Sequence, residues 1–466
     1  MDNLAVIILA AGKGKRMRSG LVKVLHPLLG RPMLSYPLEV SLEHLQPEKT
    51  IVVVGHQAEQ IQDCFSDPRI TFVRQNDQLG TGHAVSVTEP ILGDFKGTIL
   101  ILCGDVPLIT AHTLTEMVNL HRDKKDTLSL LTAHREDPAG YGRVVHGSRG
   151  GMHKVVEEKD ATNRERGITE VNTGIYCVQA PFLFQALGRL RSDNAQGEYY
   201  LPDIIEVAHH KKKKINTFSV PDPVESMGIN TRAELAQAEE ILAERVRQHW
   251  MAEGVTIQDT TSVYIESTVR IGGDTVVFPN CYLRGETTIG MSCRIGPQVE
   301  ICDSQVGDRV QIRFCTMITE SRIADDAIVG PFSHLRPQSH LEKGAKIGNF
   351  VEVKKSRIGP GTKANHLAYI GDSEVGAGVN IGAGTITCNY DGFHKHRTII
   401  EDGAFVGSNT ALVAPVKVGK GAVVGAGTTV TKDIPPHALA VSRARQKSIK
   451  KWVMKKGKRK NKERQG

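Results

Sequence analysis

No stretch of the 466-residue sequence approaches the roughly 18 uninterrupted apolar residues of a membrane span. The start, Met1-Asp2-Asn3-Leu4-Ala5-Val6-Ile7-Ile8-Leu9, has no basic leader before its apolar run, so it reads as a first buried strand and not as a signal peptide. The eight cysteines (Cys64, Cys103, Cys177, Cys281, Cys293, Cys302, Cys315, Cys388) show no Cys-x-x-Cys spacing, which points away from zinc and from a redox pair. Several sit among apolar neighbours, where a free thiol behaves as a small hydrophobe. This fits a cytoplasmic, reducing compartment, although an even count alone does not exclude disulfides. A basic body is also lacking. The net charge is +8, but residues 443–466 hold twelve Lys or Arg against one acid, Glu463, which leaves about −3 for everything before them. The basicity is a tail, either a solvated terminus or a weak contact for RNA or anionic membrane; no nucleic acid is required by the rest of the chain.

What is present, above all, is a ladder. Ile265, Ile271, Val277, Leu283, Ile289, Ile295 and Ile301 recur in steps of six, and Ile400, Val406, Leu412, Val418, Val424 and Val430 do so again. Neither a helix nor an alternating strand has that period; a coiled stack of short strands, each giving one inward residue, does. The pattern predicts an all-β parallel β-helix of hexapeptide repeats over residues 252–440. Glycine follows many ladder residues (Gly272, Gly290, Gly296, Gly407, Gly419, Gly425) and is expected to supply positive φ at tight corners. Steps of five, as from Ile301 to Val306, shorten single corners. The larger break from Ile381 to Ile400 holds the polar segment 388–396 and is expected to leave the prism as a loop.

Residues 1–229 alternate apolar runs (5–9, 51–54, 70–73, 98–102, 128–133, 215–220) with helical stretches such as 32–44 and 81–88, which predicts an α/β domain with a mainly parallel sheet. Ligands of such sheets bind beyond the carboxyl ends of the strands. Residues 231–250, rich in Ala, Glu, Leu and Arg without Gly or Pro, predict one helix within a 230–251 linker, and 441–466 form the basic tail.

The first chemical motif, Leu9-Ala10-Ala11-Gly12-Lys13-Gly14-Lys15-Arg16, follows the first strand. Small residues let backbone N–H groups approach phosphate while Lys and Arg neutralise its charge. It is neither a dinucleotide-fold fingerprint nor a P-loop. Lys23-Val24-Leu25, Gln75, Gln78-Leu79-Gly80-Thr81-Gly82 and Gly104-Asp105-Val106-Pro107 follow, then Gly140-Tyr141-Gly142-Arg143, Val156-Glu157, Val171-Asn172-Thr173-Gly174 and Gly228-Ile229-Asn230. A second motif lies in the ladder. His366 stands between the inward positions Ala364 and Ile370, with Arg336, Lys354 and Lys395 as phosphate-binding cations and Tyr369, Asn380, Asn389 and Tyr390 as hydrogen-bonding groups. A lone His in a repeat protein is commonly a surface residue, but these surroundings suit it to take a proton from a sugar ammonium near neutral pH.

The first series resembles the sugar-1-phosphate nucleotidylyltransferases. Joined to a hexapeptide-repeat domain, it resembles the bifunctional bacterial N-acetylglucosamine-1-phosphate uridyltransferase/glucosamine-1-phosphate acetyltransferase family across residues 3–443. The resemblance implies a Rossmann-like nucleotidyltransferase domain and a left-handed β-helix. It implies that Leu9, Ala10, Gly12, Arg16, Lys23, Gln75, Gly80 and Thr81 hold UTP and that Asp105 and Asn230 ligate Mg²⁺. Gly142, Glu157, Asn172 and Asn230 would then hold N-acetylglucosamine-1-phosphate. On the β-helix, His366 would be the base; Arg336, Lys354, Tyr369, Asn380 and Lys395 would bind glucosamine-1-phosphate. Ala383, Asn389, Tyr390, Ser408, Ala426 and Arg443 would bind acetyl-CoA, and Glu352 would help to orient His366. A homotrimer with intersubunit acetyltransferase sites is implied as well. The chain departs from the family at Lys15, Val22 and Cys103, where Thr, Pro and an aromatic are usual. The competing reading is a nucleotidylyltransferase whose repeat domain only oligomerises or regulates.

Overall fold

The computed structural model describes residues 3–147, 151–442 and 446–454. Arg443, proposed above for the coenzyme, lies outside them, as does most of the basic tail. The chain forms two compact units, one ending at Arg245 and the other beginning at Val246. The helix Arg232–Ala252 runs through that boundary.

In the first unit the central sheet runs in the order Ile215–Ser219, Leu128–His134, Glu170–Gln179, Thr98–Cys103, Leu4–Ala10, Lys49–Val54, Ile70–Arg74. All neighbours in this order are parallel except those of Glu170–Gln179, which is antiparallel to both of them and also to Arg143–His146. Leu4–Ala10 lies between two parallel partners and is covered on both faces. Val6 and Ile8 join one apolar cluster and Ala5 and Ile7 the other, so its apolar run is continuous instead of alternating. Glu170–Gln179 was not legible as a strand. Asn172-Thr173-Gly174 interrupts its apolar pattern, and there the register shifts and Gly174 takes φ +79°. The helical stretch expected over 32–44 begins later, as Ser35–Glu39 followed by the π-helical turn Val40–Leu45.

The second unit is a parallel β-helix. Strands pair with strands one coil on: Tyr264 with Tyr282, Arg270 with Thr288 and Val276 with Arg294, 18 positions apart, then Thr288 with Gln305, 17 apart after the first five-residue step. The ladder residues point inward; Val277, Leu283, Ile295, Ile301, Val406, Leu412, Val418 and Val424 are all fully buried. Small hydroxyl residues fill the corners and donate to carbonyls of the next coil, as Thr275 does to Gly290 (2.9 Å) and Thr362 to Gly376 (2.6 Å). The break in the ladder is a loop: Ser373 pairs with Thr398, 25 positions on, and Thr387 fills one inward position before the chain leaves at Asn389.

The glycines after the ladder residues do not have positive φ. The left-handed position lies two residues later, at Asp274, Ser292, Gln298, Asn409, Gly421 and Gly427. The glycines instead permit stacking: a Cβ on Gly290 would lie 2.7 Å from the carbonyl carbon of Gly307, and one on Gly407 would lie 2.6 Å from the amide nitrogen of Ala426. Coil spacing, not corner geometry, excludes a side chain there.

Candidate active sites

At the carboxyl end of the first unit's sheet a cavity of about 470 Å³ opens between the ends of Leu4–Ala10 and Thr98–Cys103. Leu9, Ala10, Gly12, Lys23, Gln75, Gly80, Thr81 and Asp105 line it, as do Lys13, Lys15, Gln78, Cys103 and Glu198. A Cβ on Gly12 would meet nothing within 4 Å, so its backbone is open to the cavity. Gly80 has φ +110°, and a Cβ there would lie 2.6 Å from the Tyr199 carbonyl oxygen; the segment carrying Glu198 is packed against it. Gln75 donates to the Gly80 carbonyl (3.2 Å) and meets His83 Nδ1 at 3.0 Å, which fixes its amide. Arg16 is exposed and is not among the lining residues; of the loop's cations Lys13 and Lys15 line the cavity, together with Lys23. Glu198 belongs to none of the motifs read from the sequence, and only the fold brings it to the cavity.

Lys23 is buried, and its ammonium donates to both the Asp105 carboxylate and the Asn230 carboxamide oxygen, the latter at 2.7 Å. Two oxygens therefore converge on one point that already accommodates a cation. Among the described residues no group of three or more His, Cys, Asp or Glu gathers as a metal cage. Such a two-oxygen donor set suits a hard divalent cation that takes its remaining ligands from phosphate and water. Asn230 is placed by the start of the long helix, where Glu234 accepts from the backbone N–H groups of Asn230 and Thr231, both at 2.7 Å.

Gly142, Glu157 and Asn172 come together on one rung. Arg143 pairs with Val156 and with Val171, which places those three residues side by side one position further on, and Asn172 N–H donates to the Gly142 carbonyl at 2.8 Å. Asn172 Oδ1 accepts from the buried Tyr176 hydroxyl at 3.0 Å. Burial, reinforced by Asp203 and Asp160, pushes the Glu157 carboxyl up, and the Arg143 charge opposes this. Burial also drives the Cys103 thiol up to about 12, with the Asp105 charge adding to it.

On the β-helix, Ala364, Ile381, Val406 and Val424 stack in register. The residues two further on, His366, Ala383, Ser408 and Ala426, therefore form one column at a corner. The corner bonds Gly384 N–H to Leu367 O (2.7 Å), Asn409 N–H to Ala383 O (2.7 Å) and Gly427 N–H to Ser408 O (2.8 Å) hold it. His366 is exposed and lines a groove of about 360 Å³ together with Gly330, Gly348, Arg313, Lys346 and Lys363. On the adjoining face Arg336, Lys354 and Lys395 meet: the Lys354 ammonium is pushed down by Lys395 first and then by Arg336. Of these three cations Arg336 is paired with Glu352, and Asp372 opposes the shift at Lys354. Tyr369 follows Glu352 in register, and its hydroxyl lies against Gly371 and the Asn389 amide. Within the subunit Glu352 accepts from Arg336 at 2.8 Å and not from His366, so the orienting role expected of it does not hold there. Asn389 donates to Asp372 at 2.5 Å, while Tyr390 is exposed at the loop and bridges Lys395. Asp391 holds the loop's turn, accepting from the Phe393 and His394 amides at 2.8 and 2.6 Å.

The family model "Nucleotidyl transferase" matches residues 5–222. The "Hexapeptide repeat of succinyl-transferase" model matches residues 397–432. A bifunctional protein GlmU from Geotalea uraniireducens (strain Rf4) is 49% identical over 457 residues, covering 98% of this chain and 100% of the relative. The chain belongs to the bifunctional GlmU family. A GlmU from Trichlorobacter lovleyi is 49% identical over 453 residues, covering 97% of this chain and 98% of the relative. The units of this GlmU-family chain are thus a Rossmann-like nucleotidyltransferase unit and a left-handed parallel β-helix of hexapeptide repeats. A solved UDP-glucose pyrophosphorylase, at 16% identity and TM-score 0.43 over 52% of this chain, is too distant to bear on its function.

Proposed function

We propose that the chain makes UDP-N-acetylglucosamine in two steps. Acetyl transfer from acetyl-CoA to glucosamine-1-phosphate occurs on the β-helix, and uridylyl transfer from UTP to the acetylated sugar phosphate occurs in the α/β unit. The observation that carries this reading is the presence in one chain of two separate constellations, the Lys23–Asp105–Asn230 cluster in a strand-end cavity and the His366 column beside three converging cations. Domain roles follow: residues 1–229 for uridylyl transfer, 230–251 as linker helix, 252–440 for acetyl transfer, 441–466 as tail.

In acetyl transfer, Arg336, Lys354 and Lys395 bind the sugar phosphate, and Tyr369 and Asn380 hold the ring. The thioester lies along Ala383, Ser408 and Ala426, with Asn389, Tyr390 and Arg443 completing the coenzyme contacts. His366 takes the proton of the attacking amine; the new amide C–N bond forms as the C–S bond breaks and CoA leaves. In uridylyl transfer, a sugar-phosphate oxygen attacks the α-phosphorus of UTP and pyrophosphate leaves. Backbone at Leu9, Ala10, Gly12 and Gly80, with Gln75 and Thr81, holds the nucleoside side. Lys23 and Arg16 carry the triphosphate, Lys13 and Lys15 add charge, and Gly142, Glu157, Asn172 and Asn230 hold the sugar. Positioning and charge neutralisation suffice without a protein nucleophile. Asp105 and Asn230 would hold Mg²⁺, which when bound neutralises phosphate charge.

The assembly we propose is a homotrimer. Phe314, Phe332, Phe350 and Leu367 form an apolar column along the same corner as His366, each 40–62% exposed, and Phe332, Phe350 and Leu367 hold positive φ. Bulky apolar residues in left-handed corners facing water carry two penalties at once, which a neighbouring copy would offset. All eight cysteines are free, which supports a cytoplasmic location, and among the described residues no helix is long and apolar enough to cross a membrane.

The test is a paired assay of purified protein, following CoA release with glucosamine-1-phosphate and pyrophosphate release with UTP. His366→Ala is expected to cut acetyl transfer by about 10²–10⁴-fold while leaving uridylyl transfer intact. Asp105→Asn is expected to do the reverse and to weaken the Mg²⁺ response. Equal loss of both activities in a folded protein would refute separate sites, and an unchanged Mg²⁺ titration would refute the metal assignment.

A further inference from the structure

Arg143 is one of the largest fully buried side chains in the molecule, and its charge has one evident counterion, Glu158. One guanidinium nitrogen donates to the Tyr141 carbonyl and another to the Glu158 carboxylate at 2.6 Å. Tyr141 immediately precedes Gly142, and Glu158 immediately follows Glu157. The two residues clamped by the guanidinium therefore flank two members of the rung on which Gly142, Glu157 and Asn172 stand. The rung tolerates little displacement. A Cβ on Gly142 would lie 3.1 Å from Glu157 Oε1, so the carboxylate rests directly over the glycine backbone. Gly142 in turn receives the Asn172 amide at 2.8 Å. On the far side, Arg135 lies over the Tyr141 ring at 4.5 Å, so both the ring and the carbonyl of Tyr141 are held by arginines.

We propose that Arg143 is the positioning residue of the sugar-phosphate subsite in uridylyl transfer, its guanidinium tying the Tyr141–Gly142 and Glu157–Glu158 arms into one rigid rung. This rests on the reading that Gly142, Glu157 and Asn172 contact the sugar. Arg143 touches no reacting atom; it acts through Gly142 and Glu157. The planar fork matters, because a lysine at this position carries the charge but cannot reach a carbonyl and a carboxylate with fixed geometry. Burial makes the loss of either partner costly: removing Glu158 leaves a buried guanidinium half-paired, and removing Arg143 leaves the Tyr141 carbonyl without its donor.

The experiment measures KM for N-acetylglucosamine-1-phosphate and for UTP separately, in the full chain, for Arg143→Lys, Arg143→Met, Glu158→Gln and Glu157→Gln. Arg143→Met is expected to raise the sugar-phosphate KM at least tenfold with the UTP KM within twofold, and Glu158→Gln to do the same more weakly; Arg143→Lys is expected to recover only part. Because acetyl transfer lies in the other unit, a wild-type-like thermal unfolding profile of each variant serves as the measure of a folded α/β unit. In Arg143→Met the pH profile of kcat/KM for the sugar phosphate is expected to move upward, because Glu157 loses the nearby positive charge. Equal rises in both KM values, or full recovery by Arg143→Lys, would overturn the positioning role. If Arg143→Met is insoluble, Glu158→Gln decides alone by the same KM split. An unchanged sugar-phosphate KM in Glu157→Gln would mean that the subsite assignment itself is wrong. A raised KM in Glu157→Gln together with unchanged values in both Arg143→Met and Glu158→Gln would sink only the clamp.

Discussion

His121 shows how one buried polar residue couples the α/β unit to pH. It is 2% exposed, and its Nδ1 lies 2.9 Å from Ser129 Oγ, which itself donates to Asp126 at 3.2 Å. The serine proton being committed to Asp126, the imidazole is the donor to Ser129. Burial lowers the His121 pKa to about 4; Asp126 opposes this and Arg122 adds to it. The folded value lies below the ordinary one, so the unfolded chain binds the proton more readily. The stabilisation is complete above about pH 6.5 and is lost as the pH falls toward 4, an amount on the order of 3 kcal/mol. Urea unfolding of the wild type is expected to weaken over that window, while His121→Gln, which has nothing to protonate, should show a flatter profile. Identical pH slopes in the two proteins would remove His121 from the account. None of this was visible in the sequence, where His121, Asp126 and Ser129 form no motif and acquire a relation only when helix and strand pack.

At the scale of the element, the coil is the unit. Its inward residue is legible because burial repeats every sixth position, but the role of the following glycine is not. The glycines expected at corners are stacking residues, and the left-handed corners are occupied by Asp274, Ser292, Gln298 and Asn409 as well as by glycine. The reason is that close approach between coils is a property of neighbours 17 or 18 residues away, which local spacing does not reveal. The two roles separate by mutation. Gly290→Ala is expected to destabilise the β-helix by about 1–3 kcal/mol through overpacking. Ser292→Gly, two residues on, should change stability by less than about 1 kcal/mol, since the lost left-handed strain offsets the added chain entropy. Thermal unfolding of both variants checks this, and a larger loss in Ser292→Gly than in Gly290→Ala would reverse the assignment. The loop after Cys388 is legible in the break in the ladder, because a polar, turn-rich segment cannot supply inward residues. Its internal order, built on Asp391, comes from contacts within the loop.

At the scale of the whole molecule, the apolar column beside His366 makes the proposed trimer testable. Phe332→Asp combined with Phe350→Asp is expected to shift the assembly toward monomer in analytical ultracentrifugation and to reduce acetyl transfer by more than tenfold. Pyrophosphate release from UTP should stay within about twofold, since its site lies in the other unit. A trimer that persists with full acetyl transfer would mean that this corner is not the interface.

The sequence by itself determined the two fold classes, their order along the chain and most of the cavity floor. Those depend on local facts: six-residue burial, apolar runs at strand positions, glycine and lysine just beyond a strand end. Tertiary structure decided what lies far apart in the chain yet acts together. It brought Lys23 between Asp105 and Asn230, delivered Glu198 to the nucleotide cavity, and turned Glu352 toward Arg336 and not toward His366. It also set Arg143 beneath the rung of Gly142 and Glu157. The physical reason is the same in each case: a side chain's partner is fixed by packing and by the need to satisfy buried charge, and neither condition is written in the spacing of nearby residues.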